Sequence, residues 1–317
     1  MKQERILVLE RNKLSQRKVT RVLACTGAKV VSMDSASELN AYPDEELAQQ
    51  GCVLCADAVD LSAVLRALDK YPKVRALLWS SKPNYNLLRK AAENPRFCNL
   101  VGRPAPDDPP RSWELLWALR RLLTGKDPGF SSLLSWGYIG FKEIVRTSKE
   151  RDACVEGVSR FCDRLNTPGH IREMLGELTH ELLMNAMYDA PVGEDGKAKY
   201  AGDRRAEITL EENEAAVIKC GSDGERIAVS VTDTFGRLGR GQVFEGMHRG
   251  LSGGKMDTSG GGAGLGMLYI YKSTSLSSFT IVPGKRTEVV GLYELDLNRR
   301  DFRNLPRSVH VFEGNGA

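Results

Sequence analysis

The sequence has no apolar stretch approaching the roughly 20 residues that cross a bilayer. Its opening run, Ile6-Leu7-Val8-Leu9, ends at Glu10 and is too short for the core of a secretory leader. A cytoplasmic protein with no membrane partner is expected. An excess of one charge sign is also missing: 45 Lys and Arg against 41 Asp and Glu give a net charge of +4. That evenly spread balance is not the footprint of a nucleic-acid binder, so no nucleic-acid partner is expected. Cysteines are few and odd in number, 7 in 317 residues, which fits reduced thiols rather than a disulfide framework. Cys52 and Cys55 have the spacing of a metal or redox pair, but they lie in an apolar run that reads as a strand. Residues three apart on a strand point to opposite faces, and buried thiols are expected instead.

What is present first is alternation. Over residues 4–124, short apolar runs (6–9, 28–33, 52–56, 74–79 and 98–101) are separated by helical stretches such as 15–25, with Val19, Val22 and Leu23 on one face. Repeated β then α predicts a doubly wound parallel sheet with helices on both faces. Ligand chemistry in such sheets gathers at the carboxyl ends of the strands. Those ends carry Glu10, Asp57, Ser80 with Ser81, and Arg103 followed by Pro104.

By the order of its elements, its length and these residues, the stretch 1–125 resembles a response-regulator receiver domain. The resemblance implies an acidic Mg2+ pair at the first strand end, a phosphoacceptor at Asp57, a hydroxyl at Ser80 and a Lys-Pro at 103–104. The chain departs from this pattern. Arg11 stands where the second acid belongs and puts a cation in the space a divalent ion needs, and Arg103 replaces the lysine. No proline turn follows Asp57. The expectation is a pseudo-receiver that serves in docking and is not phosphorylated; an unrelated flavodoxin-like domain meets the same element order.

Residues 126–141 read as a linker, opened by Gly125-Lys126-Asp127-Pro128-Gly129. Leu133, Leu134, Trp136, Tyr138, Ile139 and Phe141 form an apolar cluster that fits core, inter-domain packing or the face of a homodimer. From 142 to 296 the pattern changes. A helix over 150–165 and another over 171–188 are followed by hairpins at 215–231 and 279–295. On the second helix Glu177, Glu181 and Asn185, four apart, form a polar stripe beside a leucine face. Buried polar groups of that kind need a hydrogen-bond partner or a ligand. A strand ends at Asp233, a carboxylate able to accept a hydrogen bond from an exocyclic amine. A polar stretch, 237–259, reads as a mobile lid. It leads to Gly260-Gly261-Gly262-Ala263-Gly264-Leu265-Gly266 at a helix start, where backbone amides hold phosphates.

In these motifs and their order, residues 142–296 resemble the ATP-binding domain of the GHKL superfamily. That implies an α/β sandwich of the Bergerat type with a mixed sheet, binding ATP and Mg2+. On the resemblance, Asn185 is a Mg2+ ligand and Glu181 a candidate general base. Asp233 binds adenine with Gly236 in the same box; Gly262, Gly264, Leu265 and Gly266 contact phosphate; Thr287 lies near the base. The usual Asp-x-Gly-x-Gly departs here to Phe235 and Arg237 at the glycine places, so Phe235 either stacks on the base or blocks its slot.

None of the four histidines (His170, His180, His248, His310) sits on a two-helix hairpin ahead of this domain, which leaves an atypical histidine kinase as a distant reading. The leading expectation is a signalling protein that phosphorylates a hydroxyl on a partner protein. Alternatives are an ATP-gated binding protein without transfer and an interaction protein with a dead pocket. Residues 297–317, with Arg299, Arg300, Arg303 and Arg307 around Phe302 and Leu305, read as a solvated tail, docking on the other domain being the alternative.

Overall fold

Strands that are apolar at every position suit a sheet covered on both faces, whereas alternating strands suit one with a single buried face. Both kinds occur in the computed structural model, which describes residues 4–48, 51–82, 85–193, 196–200, 202–251 and 263–314. The protein is α/β, with parallel and antiparallel strand pairs. It divides into two units: Met1–Leu133 with Leu305–His310, and Leu134–Asn304 with Val311–Ala317.

The first unit runs β1 (Arg5–Leu9), α1 (Lys13–Ala24), β2 (Lys29–Met33), α2 (Ala36–Asn40), α3 (Asp44–Leu47), β3 (Cys52–Asp57), α4 (Leu61–Lys70), β4 (Arg75–Ser80), α5 (Tyr85–Glu93), β5 (Phe97–Gly102) and α6 (Ser112–Thr124). The strands pair in parallel in the order β2-β1-β3-β4-β5. Ile6 to Leu9 and Cys52 to Ala56 are buried, as continuous apolar strands require. Cys52 and Cys55 lie among them as free thiols. Burial pushes the Cys52 thiol up to about 11. Asn12 starts α1 by accepting hydrogen bonds from the amides of Leu14 and Ser15, the usual task of an N-cap carboxamide.

The second unit opens with β6 (Ile139–Val145), α7 (Ser148–Arg164) and α8 (Gly169–Met184), which continues into a π-helical turn, Asn185–Asp189. It goes on through β7 (Ala216–Ser222), β8 (Arg226–Asp233), α9 (Arg240–Leu251), α10 (Ala263–Ser273), β9 (Leu276–Val282), β10 (Arg286–Glu294) and α11 (Arg299–Asn304). Its strands are antiparallel in the order β9-β10-β8-β7-β6. Helix α8 packs on β8 and β10, with α7 and α10 beside it. Among the described residues no helix is long and apolar enough to cross a membrane.

Two expectations change. Residues 139–141 are not linker but the start of β6, paired with β7. The stretch after 296 is not a solvated tail. Its strand β11 (Ser308–Glu313) pairs antiparallel with β5 at Val309↔Leu100 and His310↔Asn99, and Ser308 to Phe312 are buried. The arginines around Phe302 and Leu305 hid a short strand apolar enough to be covered. At its centre His310, fully buried, sets Nε2 at 3.0 Å from Glu114 Oε1 and Nδ1 at 3.0 Å from Asn99 Oδ1. Arg111 Nη1 donates to Glu114 Oε2 at 2.9 Å. Burial raises the Glu114 carboxyl, but the His310 hydrogen bond and the Arg111 charge outweigh it and hold the group below the ordinary glutamate range. A depressed carboxylate contributes stability above its unfolded pKa, about 4.3, and loses that contribution as pH falls through the folded value. Glu114→Ala leaves His310 and Arg111 without their acceptor. It is expected to lower the unfolding free energy by about 3–5 kcal/mol in urea titration of the full chain, and this difference from wild type should shrink in acid.

Candidate functional site

The turn that ends α8 is wider than an α-turn, closed by Ala190 N–H donating to the Asn185 carbonyl at 3.0 Å. Such π-turns often mark functional positions, because they rotate side chains off the helix face that precedes them. Here the turn carries Asn185 and Asp189. Asp233, the last residue of β8, lies directly across the sheet register from Thr287 of β10. Asn185, Asp189, Asp233 and Thr287 line one cavity of about 290 Å³, together with Arg237 and Arg249. Leu182, Val231, Met267 and Val289 give it apolar walls. A larger open groove of about 830 Å³ lies between β6 and α7. Of the residues singled out from the sequence it carries Phe141, from the apolar cluster, and none of the candidate site residues.

Asp233 Oδ1 accepts the amides of Phe235 at 2.8 Å and Gly236 at 3.0 Å. Burial raises its carboxyl above the ordinary range, with those two amides pulling the other way. The buried Thr287 hydroxyl has no hydrogen-bond partner of ordinary geometry, the kind of orphaned polar atom that a ligand satisfies. Phe235 is not among the residues lining the cavity; Arg237 and Leu238 are. Gly236, at φ +61°, serves the chain rather than the cavity. A Cβ there would stand 2.1 Å from the Val282 carbonyl oxygen, where the loop packs on the β9–β10 turn.

Glu181 lies one turn before Asn185 on α8 and outside the cavity lining. Gly266 of α10 lets the two helices meet there, since a Cβ at 266 would stand 2.1 Å from Glu181 Oε1. Burial raises the Glu181 carboxyl; Arg204 lowers it and Asp189 raises it further. Gly264 and Leu265 fall in the first turn of α10, and Gly262 lies outside the described residues. Of the stretch expected to be a lid, 237–239 is irregular chain and 240–251 is the helix α9, with Val243, Phe244 and Met247 buried; its remainder, 252–259, lies outside the described residues.

Sequence reasoning missed Asp189 and Arg204. Asp189 was within reach, because Glu177, Glu181 and Asn185 extend by one more step of four to 189. Arg204 carries no local signal. Its Nη2 donates to Asn185 Oδ1 at 3.0 Å and to Asp189 Oδ2 at 3.0 Å, and stands 3.8 Å from Glu181 Oε1. This bears on Mg2+. The one ligand expected from the protein is Asn185, and its oxygen is held by a guanidinium. Among the described residues no group of three or more His, Cys, Asp or Glu is placed to hold a metal. Like charges 4 Å apart near a protein surface repel by about 4 kcal/mol per unit pair. The donor set around Asn185 therefore does not fit a divalent ion.

The first unit shows the same substitution. Arg103 Nη1 pairs with Glu10 Oε2 at 2.8 Å and Nη2 pairs with Asp57 Oδ2, all three side chains being buried. Trp79 Nε1 also donates to Glu10 Oε2, at 3.0 Å. The Ser80 hydroxyl is turned to its own loop, where it donates to the Lys82 carbonyl at 3.1 Å. The cation in this pocket is Arg103 and not Arg11, as the sequence had implied. Arg11 instead pairs with the buried Asp60 at 2.5 Å, its own side chain 61% exposed. Compared with known proteins, the sequence matches no family model and no curated protein.

Asp57, buried and clamped by Arg103, is shielded from a phosphoryl donor. Incubation of the full chain with acetyl phosphate and Mg2+ is expected to leave its mass unchanged; an 80 Da adduct (~80, one phosphoryl group) mapped to Asp57 would contradict the clamp.

Proposed function

We propose that the second unit is an adenine-nucleotide-binding domain of the GHKL type, with the sandwich fold that name implies, and that the receiver-like first unit docks a protein partner in signalling. The observation that carries this reading is that Asn185, Asp233 and Thr287, from separate elements, line one cavity. Its volume lies just under the roughly 300–1,000 Å³ typical of small-ligand sites, and its lining joins apolar walls that suit a base to polar and charged groups that suit a ribose and phosphates.

The amides of Phe235 and Gly236 both engage Asp233 Oδ1, so Oδ2 is the oxygen for an exocyclic amine. The Thr287 hydroxyl can serve a ring nitrogen beside it. Arg237 and Arg249 supply positive charge for the phosphates. Nucleotide binding would then change how the chain meets its partner, by ordering whatever the phosphates touch.

Transfer of a phosphoryl group to a hydroxyl on the partner is the second reading. It is favoured by Glu181, whose carboxyl burial raises in the direction a general base needs. Against it, Glu181 lies beside Arg204 and Gly266 rather than in the cavity.

Calorimetry with ATP and GTP tests the main reading. ATP should bind more tightly, and Asp233→Asn should weaken it by at least about tenfold, ~1.4 kcal/mol; equal affinity of the variant and wild type would refute the assignment. The two readings part on Glu181→Gln. If transfer occurs, labelled phosphate should reach the partner with wild-type protein and fail with the variant; if binding alone is the function, neither protein labels it.

A further inference from the structure

Resting on the nucleotide reading, we propose that Arg204 takes the place of the metal, so that the cavity binds its nucleotide without a divalent cation. The guanidinium bridges the only two polar groups that the π-turn brings to the cavity, Asn185 Oδ1 and Asp189 Oδ2, each at 3.0 Å. Asp189 would otherwise present an uncompensated carboxylate to incoming phosphates, the repulsion that a bound cation ordinarily removes. Arg204 removes it from behind. It does not line the cavity, while Asn185 and Asp189 do, so it acts as a positioning residue and resident counter-ion.

The charge balance on the cavity wall supports this. The lining acids are Asp189 and Asp233, and the lining cations are Arg237 and Arg249. With Asp189 satisfied by Arg204, both lining arginines are left to face phosphate oxygens. Arg237 is already oriented there, its Nη1 donating to the Asp189 carbonyl at 3.2 Å. Both hydrogen bonds come from Nη2 of Arg204, and a guanidinium keeps its charge at every accessible pH. The same chain uses the device a second time, where Arg103 joins Glu10 and Asp57. That pocket is built from unrelated elements, so the substitution of arginine for metal does not depend on one loop.

A triphosphate held without a divalent ion lacks the cation that neutralises charge on the transferring group, and such a site is suited to sensing nucleotide rather than spending it.

The test is equilibrium binding of an ATP analogue with a fluorescent ribose substituent to the full chain, in excess EDTA and in Mg2+. Wild type should bind in both, with Kd values within about threefold. Arg204→Gln should lose about tenfold or more in EDTA and regain part of it with Mg2+, because Asn185 and Asp189 are then open to the ion. Circular dichroism of the variant reports whether it folds; the wild-type comparison stands without it. Wild-type binding that falls about tenfold or more in EDTA would overturn the inference and leave the nucleotide reading intact. So would a folded Arg204→Gln variant that binds as well as wild type in EDTA. Binding absent in both conditions would overturn the nucleotide reading and this inference with it.

Discussion

An acid or amide set into an apolar wall must be matched by a donor, because neither water nor a distant charge reaches it at low cost. In this chain the match is made by arginines that arrive from far along the sequence. Arg103 closes over Glu10 and Asp57 at the ends of β1 and β3. Arg204, from the segment between the π-turn and β7, closes over Asn185 and Asp189. Arg103 uses two nitrogens of its guanidinium fork, one for each carboxylate, whereas Arg204 meets both oxygens through Nη2 alone. The polar groups are thereby matched by donors, and what remains open around them is shaped by that choice.

The backbone is arranged to let these groups come close. Gly266 admits the Glu181 carboxyl against α10, and Gly236 admits the strand-end loop against the β9–β10 turn. The π-turn at 185–189 presents Asn185 and Asp189 together at the cavity. Gly236 and Gly266, which read as ligand contacts, thus serve the packing beside the cavity rather than its lining.

Much of the fold was legible because it is periodic. The five apolar runs of the first unit correspond to β1, β2, β3, β4 and β5, and the two hairpins of the second unit to β7 with β8 and β9 with β10. Strand β6 and the final strand β11 were not legible. β6 is largely exposed and β11 comes after an arginine-rich helix, so neither shows the pattern by which strands are recognised. Asp189 was implied by the four-residue spacing that runs from Glu177 to Asn185, had it been carried one step further.

The sequence by itself determined which residues carry polar chemistry in apolar surroundings: Glu10, Asp57, Glu181, Asn185 and Asp233 stand out from their neighbours by type and spacing. Only the tertiary structure decided what each of them faces. Whether Arg11 or Arg103 fills the first pocket, and that Arg204 is bound to Asn185, depend on where loops distant in sequence come to rest. No local pattern encodes that, because a guanidinium on a loop looks the same in the sequence whether it ends in solvent or between two buried oxygens.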